Sequence, residues 1–374
     1  MKRKILFITG TRADYGKLKS LMMAIEASEE FELLIYVSGM HLLEQYGMTI
    51  REIYKDGYSN IYPALGQVHT QSMSYNLGNI ICNLTGYVEN TKPDMIVVHG
   101  DRIEAIAGAV VGALNNIRVA HIEGGEVTGT IDESIRHAVS KFAHFHFVAN
   151  EDAKSNLIQL GEDSNNIFII GSPDLDIMNS DNLPDIEEVR KRYEISYDKY
   201  SIVLYHPVTT ELNQIYDHVK NVVDAIKAYE DNYVIIYPNN DTGSDIILGR
   251  LNTLQKMKNV RLLNSIRFEY FLTLLRNANC MLGNSSAGVR EAGFYGVPAI
   301  DIGTRQKGRY HLENCPNIQW VPEDKEQIVT ALHNIDSHRT KSYGFGDGKS
   351  TELFMQALRG NIWDKTIQKQ FIVL

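Results

Sequence analysis

Residues 121–137 read HIEGGEVTGTIDESIRH and gather four carboxylates, Glu123, Glu126, Asp132 and Glu133, before the first cation at Arg136. Such a stretch is either a solvated loop or a set of acid/base groups aimed at a substrate. Glu123 closes an apolar run, RVAHI, and two glycines follow it, so nothing bulky covers it. A general acid or base could work there. Asp132 has a simpler account of its own, as the N-cap of a helix over ESIRHAVSKFAH. Glu126 and Glu133 read most simply as solvated. A metal site built from Asp101, His121 and Glu123 ranks low. His121 and Ile122 should point to opposite faces of a strand, and no second histidine has ligand spacing.

Other polar groups also follow apolar runs. After ILFIT (5–9) comes GTRADYGK with Arg12, and after MIVVH (95–99) come Gly100, Asp101 and Arg102. SIVLY (201–205) leads into His206 and Pro207, YVIIY (233–237) into Pro238, Asn239, Asn240 and Asp241, and CMLG (280–283) into Asn284, Ser285 and Ser286. In open parallel sheets, ligands bind beyond the carboxyl ends of strands. Six such strand ends, from both halves of the chain, point to one cleft.

The individual motifs differ in weight. The Gly10–Gly16 loop has five residues between its glycines and Leu18 after Lys17, so it is not a P-loop. Arg12 is left as a cation at a helix start, or as the exposed arginine of an ordinary turn. GNSSAGVREAG (283–293) is more specific. Two serines and two glycines open what should be a helix, whose first N–H groups can bind an anion. Glu291, one to two turns on, could accept from a ribose diol, whereas the simplest role for Ser285 is an N-cap. His206 could contact a diphosphate, transfer a proton, or be satisfied by local backbone.

The elements that must position these groups are short apolar runs of strand length. Besides those named, they are LLIYV (33–37), FHFVA (145–149), IFII (167–170), VRLL (260–263) and VPAIDI (297–302). Unbroken apolar strands alternating with helix-like segments predict parallel sheets covered on both faces. The series occurs twice, with a polar break over GSPDLDIMNSDNLPDIEEVRKRY (171–193) that carries two prolines. The expected fold is α/β: two Rossmann-like, doubly wound domains facing each other across a cleft.

Composition narrows the function further. With 374 residues, 44% hydrophobic and 22% charged, the chain is no disordered protein. Its formal charge of −9 argues against a nucleic-acid or anionic-membrane partner, so a phosphate must be gripped by a few placed groups. Three scattered cysteines, Cys82, Cys280 and Cys315, form no CxxC, which favours a reducing compartment. The apolar part of the N-terminus, Ile5 to Ile8, is too short for a signal or membrane helix. A cytoplasmic location is expected.

The whole ordered set resembles the UDP-N-acetylglucosamine 2-epimerase family, in particular its hydrolysing branch from bacterial sialic-acid and related nonulosonic-acid pathways. The likeness is carried by TGTRADYGKL (9–18), VVHGDRIEA (97–105), HIEGGEVTGTIDESIRH, IIGSPDLD (169–176), YHPVTTE (205–211), YPNNDTG (237–243), SIRFEYF (265–271), GNSSAGVREA (283–292) and IDIGTRQ (300–306). It implies a glycosyltransferase-B-like fold. The implied domains are residues 1–171 with the catalytic carboxylates, 172–355 binding UDP, and a C-terminal helix or tail over 356–374 crossing back to the first domain. By motif, Asp101, Glu123 and Asp132 match the catalytic carboxylates. Arg12, His206, Ser285, Ser286 and Glu291 match the UDP contacts, His206 also standing as a proton-transfer group; Asn239 and Arg102 follow by a looser match. The resemblance implies a UDP-sugar substrate, no cofactor, no metal, and a homo-oligomer, dimer or tetramer. HPVTTE and Asn-Ser-Ser, where the non-hydrolysing branch has a His-Arg-rich segment and Ser-Gly-Gly, favour hydrolysis.

Such chemistry gives the acids a purpose. Inverting C2 removes a proton from one face and delivers one to the other, so at least two groups are needed. Two rivals remain: a glycosyltransferase of the same fold using a UDP-sugar donor, and a nucleotide-sugar sensor without turnover. The sensor gives no reason for three carboxylates.

Overall fold

The computed structural model describes residues 2–65, 72–127, 131–179, 183–239, 241–342 and 344–372. Thr128, Gly129 and Thr130 of the acidic stretch, and Asn240, lie outside the described residues. Strands β1 (Arg3–Thr9), β2 (Phe31–Val37), β3 (Ile61–Pro63), β4 (Met95–His99), β5 (Arg118–Ile122), β6 (Phe145–Val148) and β7 (Ile167–Ile169) form one parallel sheet, ordered β3-β2-β1-β4-β5-β6-β7. A second parallel sheet holds β8 (Ser201–Leu204), β9 (Tyr233–Ile236), β10 (Val260–Leu263), β11 (Met281–Gly283), β12 (Ala299–Ile302) and β13 (Ile318–Val321), ordered β10-β9-β8-β11-β12-β13. Each sheet reverses its winding beside its first strand, so both are doubly wound. The reversal points lie between β1 and β4 and between β8 and β11, where such sheets bind ligands.

The unbroken apolar strands follow from covering both faces. Along β1, Ile5 and Phe7 pack with Leu18, Leu21 and Met22, while Leu6 and Ile8 pack with Ile80, Leu84 and Val98. Alternate residues thus enter two apolar layers, which is why the central strands read as apolar runs. Helix Arg12–Glu26 starts by a capping box: the Thr11 side chain accepts from the Asp14 amide, and the Asp14 carboxylate accepts from the Thr11 amide. That carboxylate also accepts from the Thr9 hydroxyl and the Gly10 amide, so Asp14 belongs to the turn.

The chain forms two compact units, Met1–Glu126 with Asp132–Asn179 and Phe345–Leu374, and Val127–Ile131 with Ser180–Gly344. The first unit therefore includes 172–179 and 345–355, which the sequence assigns to the second domain. Packing explains the reassignment. Phe354, on helix Ser350–Arg359, lies edge-on to Phe7 and Phe147 with ring centroids 6.4 and 4.8 Å away. The Asp176 carboxylate accepts from the Ser350 and Thr351 amides at 2.9 and 2.6 Å, satisfying the start of that helix. In the second unit Val203, Tyr205, Ile235, Leu282 and Ile300 join helix residues Val219, Val222 and Ile328 in one core.

Candidate active site

In the first unit, the loops after β1, β4 and β5 carry Arg12, Asp101 with Arg102, and Glu123. Glu123 has φ +60°, a left-handed backbone that costs a non-glycine residue roughly 1–3 kcal/mol and persists where contacts over-determine it. Those contacts are present. The Glu123 amide donates to Phe147 O at 2.8 Å, its Oε2 lies 2.9 Å from His99 Nε2, and its Oε1 accepts from the Ser172 hydroxyl. The residue is 3% exposed. A carboxylate held at both oxygens presents a fixed group for proton transfer.

Asp101 is paired with Arg136, the cation that ends the acidic stretch. Arg136 is 1% exposed and also donates to the Glu126 carbonyl oxygen at 3.1 Å, so one guanidinium ties the two loops together. Glu126 is therefore buried, at 6% exposure, and not a solvated acid. Glu133 is partly exposed, its Oε1 3.4 Å from His137 Nε2 one helical turn on. Asp132 is the second residue of helix Ile131–Phe142, inside its first turn, and so is not its N-cap. Its negative charge there suits the positive end of the helix.

Arg12 opens its helix and donates to Glu52. Arg102 is the N-cap residue of helix Ile103–Leu114, with its Nε 3.7 Å from Glu104 Oε2. His121 is fully buried, with Nε2 2.8 Å from Gly100 O and Nδ1 3.1 Å from Ser140 Oγ. Burial drives its pKa down to about 3, so it is a neutral structural ring. Both its nitrogens have partners within the fold, which removes it from any metal set.

The second unit builds its site around Asn284, fully buried after β11. The Asn284 carbonyl oxygen Oδ1 accepts from the His206 amide at 2.7 Å, and its Nδ2 donates to His206 O at 2.9 Å. One side chain thereby ties the loop after β8 to the loop after β11. His206 Nδ1 accepts from the Asn239 amide at 3.0 Å, so the neutral ring carries its proton on Nε2 and offers a donor to an anion. The Asn239 side chain donates to Asp241. Gln306 and Arg305 donate to the Asn284 backbone carbonyl, bracing the serine turn from the loop after β12.

Ser285 is the N-cap, its hydroxyl accepting from the Ala287 amide at 3.3 Å. The expected single helix is instead two short ones, Ser286–Val289 and Glu291–Tyr295, because Arg290 (φ −96°, ψ −71°) departs from helical geometry between them. Glu291 thus opens a second helix and is buried rather than lying turns into the first. Gly283, at φ +140°, fits because a Cβ there would lie 2.1 Å from Leu204 O.

Arg136, His99, Ser172, Asn284 and Arg305 escape a reading of residue types alone. His99 ends an apolar strand and the others lie within quoted motifs, but their supporting roles come from contacts that span loops far apart in sequence. Among the described residues, Glu211, His218 and Glu323 bring potential metal-ligating atoms within 4.8 Å of one another, with the Thr304 hydroxyl donating to Glu211 at 2.6 Å.

The family model for UDP-N-acetylglucosamine 2-epimerase matches residues 23–359. The chain belongs to that family. It is 44% identical to UDP-N-acetylglucosamine 2-epimerase of Neisseria meningitidis serogroup B, covering 100% of this chain and 99% of the relative. It is 35% identical to the hydrolysing UDP-N,N'-diacetylbacillosamine 2-epimerase of Legionella pneumophila, covering 96% of each. The fold is similar to that of Methanocaldococcus jannaschii UDP-GlcNAc 2-epimerase, solved with UDP-GlcNAc and UDP, at TM-score 0.81, 23% identity and coverage of 95% and 99%. The Neisseria meningitidis enzyme solved with UDP-GlcNAc gives TM-score 0.80 at 19% identity, covering 95% and 99%. The fold of this epimerase-family chain is thus the two-domain α/β, glycosyltransferase-B-like one. Among its described residues, no helix is long and apolar enough to cross a membrane.

Proposed function

We propose that this epimerase-family chain is a hydrolysing enzyme. Its substrate is UDP-N-acetylglucosamine, or a UDP-2,4-diacetamido-6-deoxy-glucose-type sugar. Its products are UDP and the free 2-epimer, of the N-acetylmannosamine type, feeding nonulosonic acid synthesis. The observation that carries the reading is the buried Glu123 carboxylate, held at both oxygens, at the end of β5 in a unit that also presents Asp101 and Asp132. The Legionella relative is named for a hydrolysing reaction, whereas the name of the Neisseria relative specifies epimerisation alone.

The C2 proton is not alpha to a carbonyl, so it leaves only as the C1–O bond to UDP breaks. One carboxylate takes that proton, the C2–H pair becomes the C1=C2 bond of a glycal, and the C1–O pair departs with UDP. Water then adds at C1 and a proton at C2 from the opposite face. Glu123 and Asp132 are assigned to the two faces, and Asp101 to orientation or protonation. His206 Nε2–H, Arg12, Ser285, Ser286, Asn239 and Arg102 are assigned to the nucleotide and its departing charge, and Glu291 to the ribose. Stabilising the diphosphate in this way lowers the barrier where the charge develops.

Incubation with each UDP-sugar in heavy water tests the reading. Free 2-epimer with one deuterium at C2, plus UDP, is the expected product. A UDP-linked epimer with no UDP release would replace hydrolysis by reversible epimerisation. Transfer to an added acceptor would mean a glycosyltransferase, and no change at all a sensor.

A further inference from the structure

We propose that His99 is the proton relay of Glu123, and that Ser172 and His99 together position its carboxylate. The proposal rests on the reading that Glu123 exchanges protons with the sugar. A buried acid that turns over must recover or discharge a proton each cycle, and the Glu123 side chain keeps 4% of its surface exposed against 11% for His99. His99 Nε2 stands 2.9 Å from Glu123 Oε2. An ionised carboxylate only accepts, so Nε2 carries the hydrogen and Nδ1 a lone pair. To load the acid, Nε2 passes its proton to Oε2 while Nδ1 takes one from hydronium or a buffer acid in the solvent. The ring becomes the Nδ1–H tautomer and Glu123 a carboxylic acid. Once Glu123 has given its proton to the sugar, the ring returns its Nδ1 proton to solvent and regains one at Nε2, so ring and carboxylate end as they began and each cycle moves one solvent proton to the sugar.

Two ionisable groups nearby are engaged elsewhere in the fold. His121 has both ring nitrogens engaged, on Gly100 O and Ser140 Oγ, and Asp101 is bound by the Arg136 guanidinium. Ser172, fully buried, donates to the other oxygen of Glu123. Its hydrogen bond fixes the carboxylate plane so that Oε2 stays on His99.

Three variants and a spectrum test the proposal. His99→Gln keeps an amide donor for Glu123 but cannot relay, so kcat should fall roughly 100-fold with KM within threefold of wild type. His99→Ala should fall at least as far and recover tenfold or more with added imidazole. Ser172→Ala should lower kcat roughly tenfold without imidazole rescue. His99→Gln turning over within threefold of wild type overturns the relay, as does His99→Ala that folds normally and ignores imidazole. Nitrogen-15 spectra of the histidine rings separate this from the reaction itself, since they need no substrate. The Nε2–H form of His99 should be present in wild type and give way to a tautomer mixture in Glu123→Ala. If wild type releases UDP from neither sugar, the assigned reaction fails. The spectrum then judges the pair alone: an Nδ1–H ring in wild type overturns it.

Discussion

Replacing Asn284 by alanine should damage together the stability of the second unit and the nucleotide site proposed for it. The side chain is fully buried and makes two hydrogen bonds to the His206 backbone, at 2.7 and 2.9 Å. Each is worth about 1 kcal/mol net, and leaving the His206 amide and carbonyl without their partner adds about 1 kcal/mol, for a loss of about 3 kcal/mol. At about 2–4 °C per kcal/mol for a domain of this size, the melting temperature should drop about 6–12 °C. Freed from Asn284, His206 and the Ser285 turn no longer share one frame, and UDP should bind about tenfold more weakly. Asn284→Asp sharpens the test. One carboxylate oxygen can still accept from the His206 amide, but the other would face the His206 carbonyl oxygen, so at neutral pH the variant should be no better than alanine. At acid pH, protonation should restore part of the loss. Thermal melts and calorimetric titration with UDP measure both effects. An alanine variant melting within 2 °C of wild type and binding UDP within twofold would refute the reasoning.

Four further outcomes follow from the local surroundings. Burial alone would raise the pKa of Glu162, but His146, Lys141 and Lys369 bring it from 4.5 to about 2. A folded-state value below the unfolded one stabilises above pH 4.5, and the benefit is lost as pH falls from there through about 2. It amounts to about 3 kcal/mol, so Glu162→Gln should lower the denaturation midpoint at pH 7 and converge with wild type in acid. Arg136→Lys cannot serve the Asp101 carboxylate and the Glu126 carbonyl at once, and kcat should fall roughly 10–100-fold in a UDP-release assay. Gly283→Ala forces a Cβ against Leu204 O and should leave little soluble protein. Gly249→Ala, where a Cβ meets nothing within 4 Å, should raise stability by about 0.5–1 kcal/mol in chemical denaturation.

The central strands were legible because burial on both faces leaves a run of apolar residues: MIVVH and RVAHI are β4 and β5 to the residue. The missed strands, β3 and β13, are both sheet edges. β3 is three residues ending in Pro63, and β13 carries Gln319 and an exposed Trp320, so neither shows such a run. Glu123 stood out by its place after a strand, as did His206 and Ser285. The side chains that hold them did not, because Ser172 and Asn284 lie 49 and 78 residues from their partners and look like any small polar loop residue. The short second helix at Glu291 was equally hidden, since nothing in VREAG announces the break at Arg290.

The chain leaves the first unit after Asn179 and re-enters it at Phe345, and the flanking segments touch: the Ser172 amide donates to Phe345 O at 2.8 Å. Most of the second unit is therefore an insertion whose two ends are anchored side by side in its host. Excising 180–344 and joining the stumps with a few glycines would leave the host sheet its full complement of strands and its closing helix. The carboxylate-bearing half should then fold as a protein of its own, giving a means to study Glu123 and its supports apart from any nucleotide-binding surface.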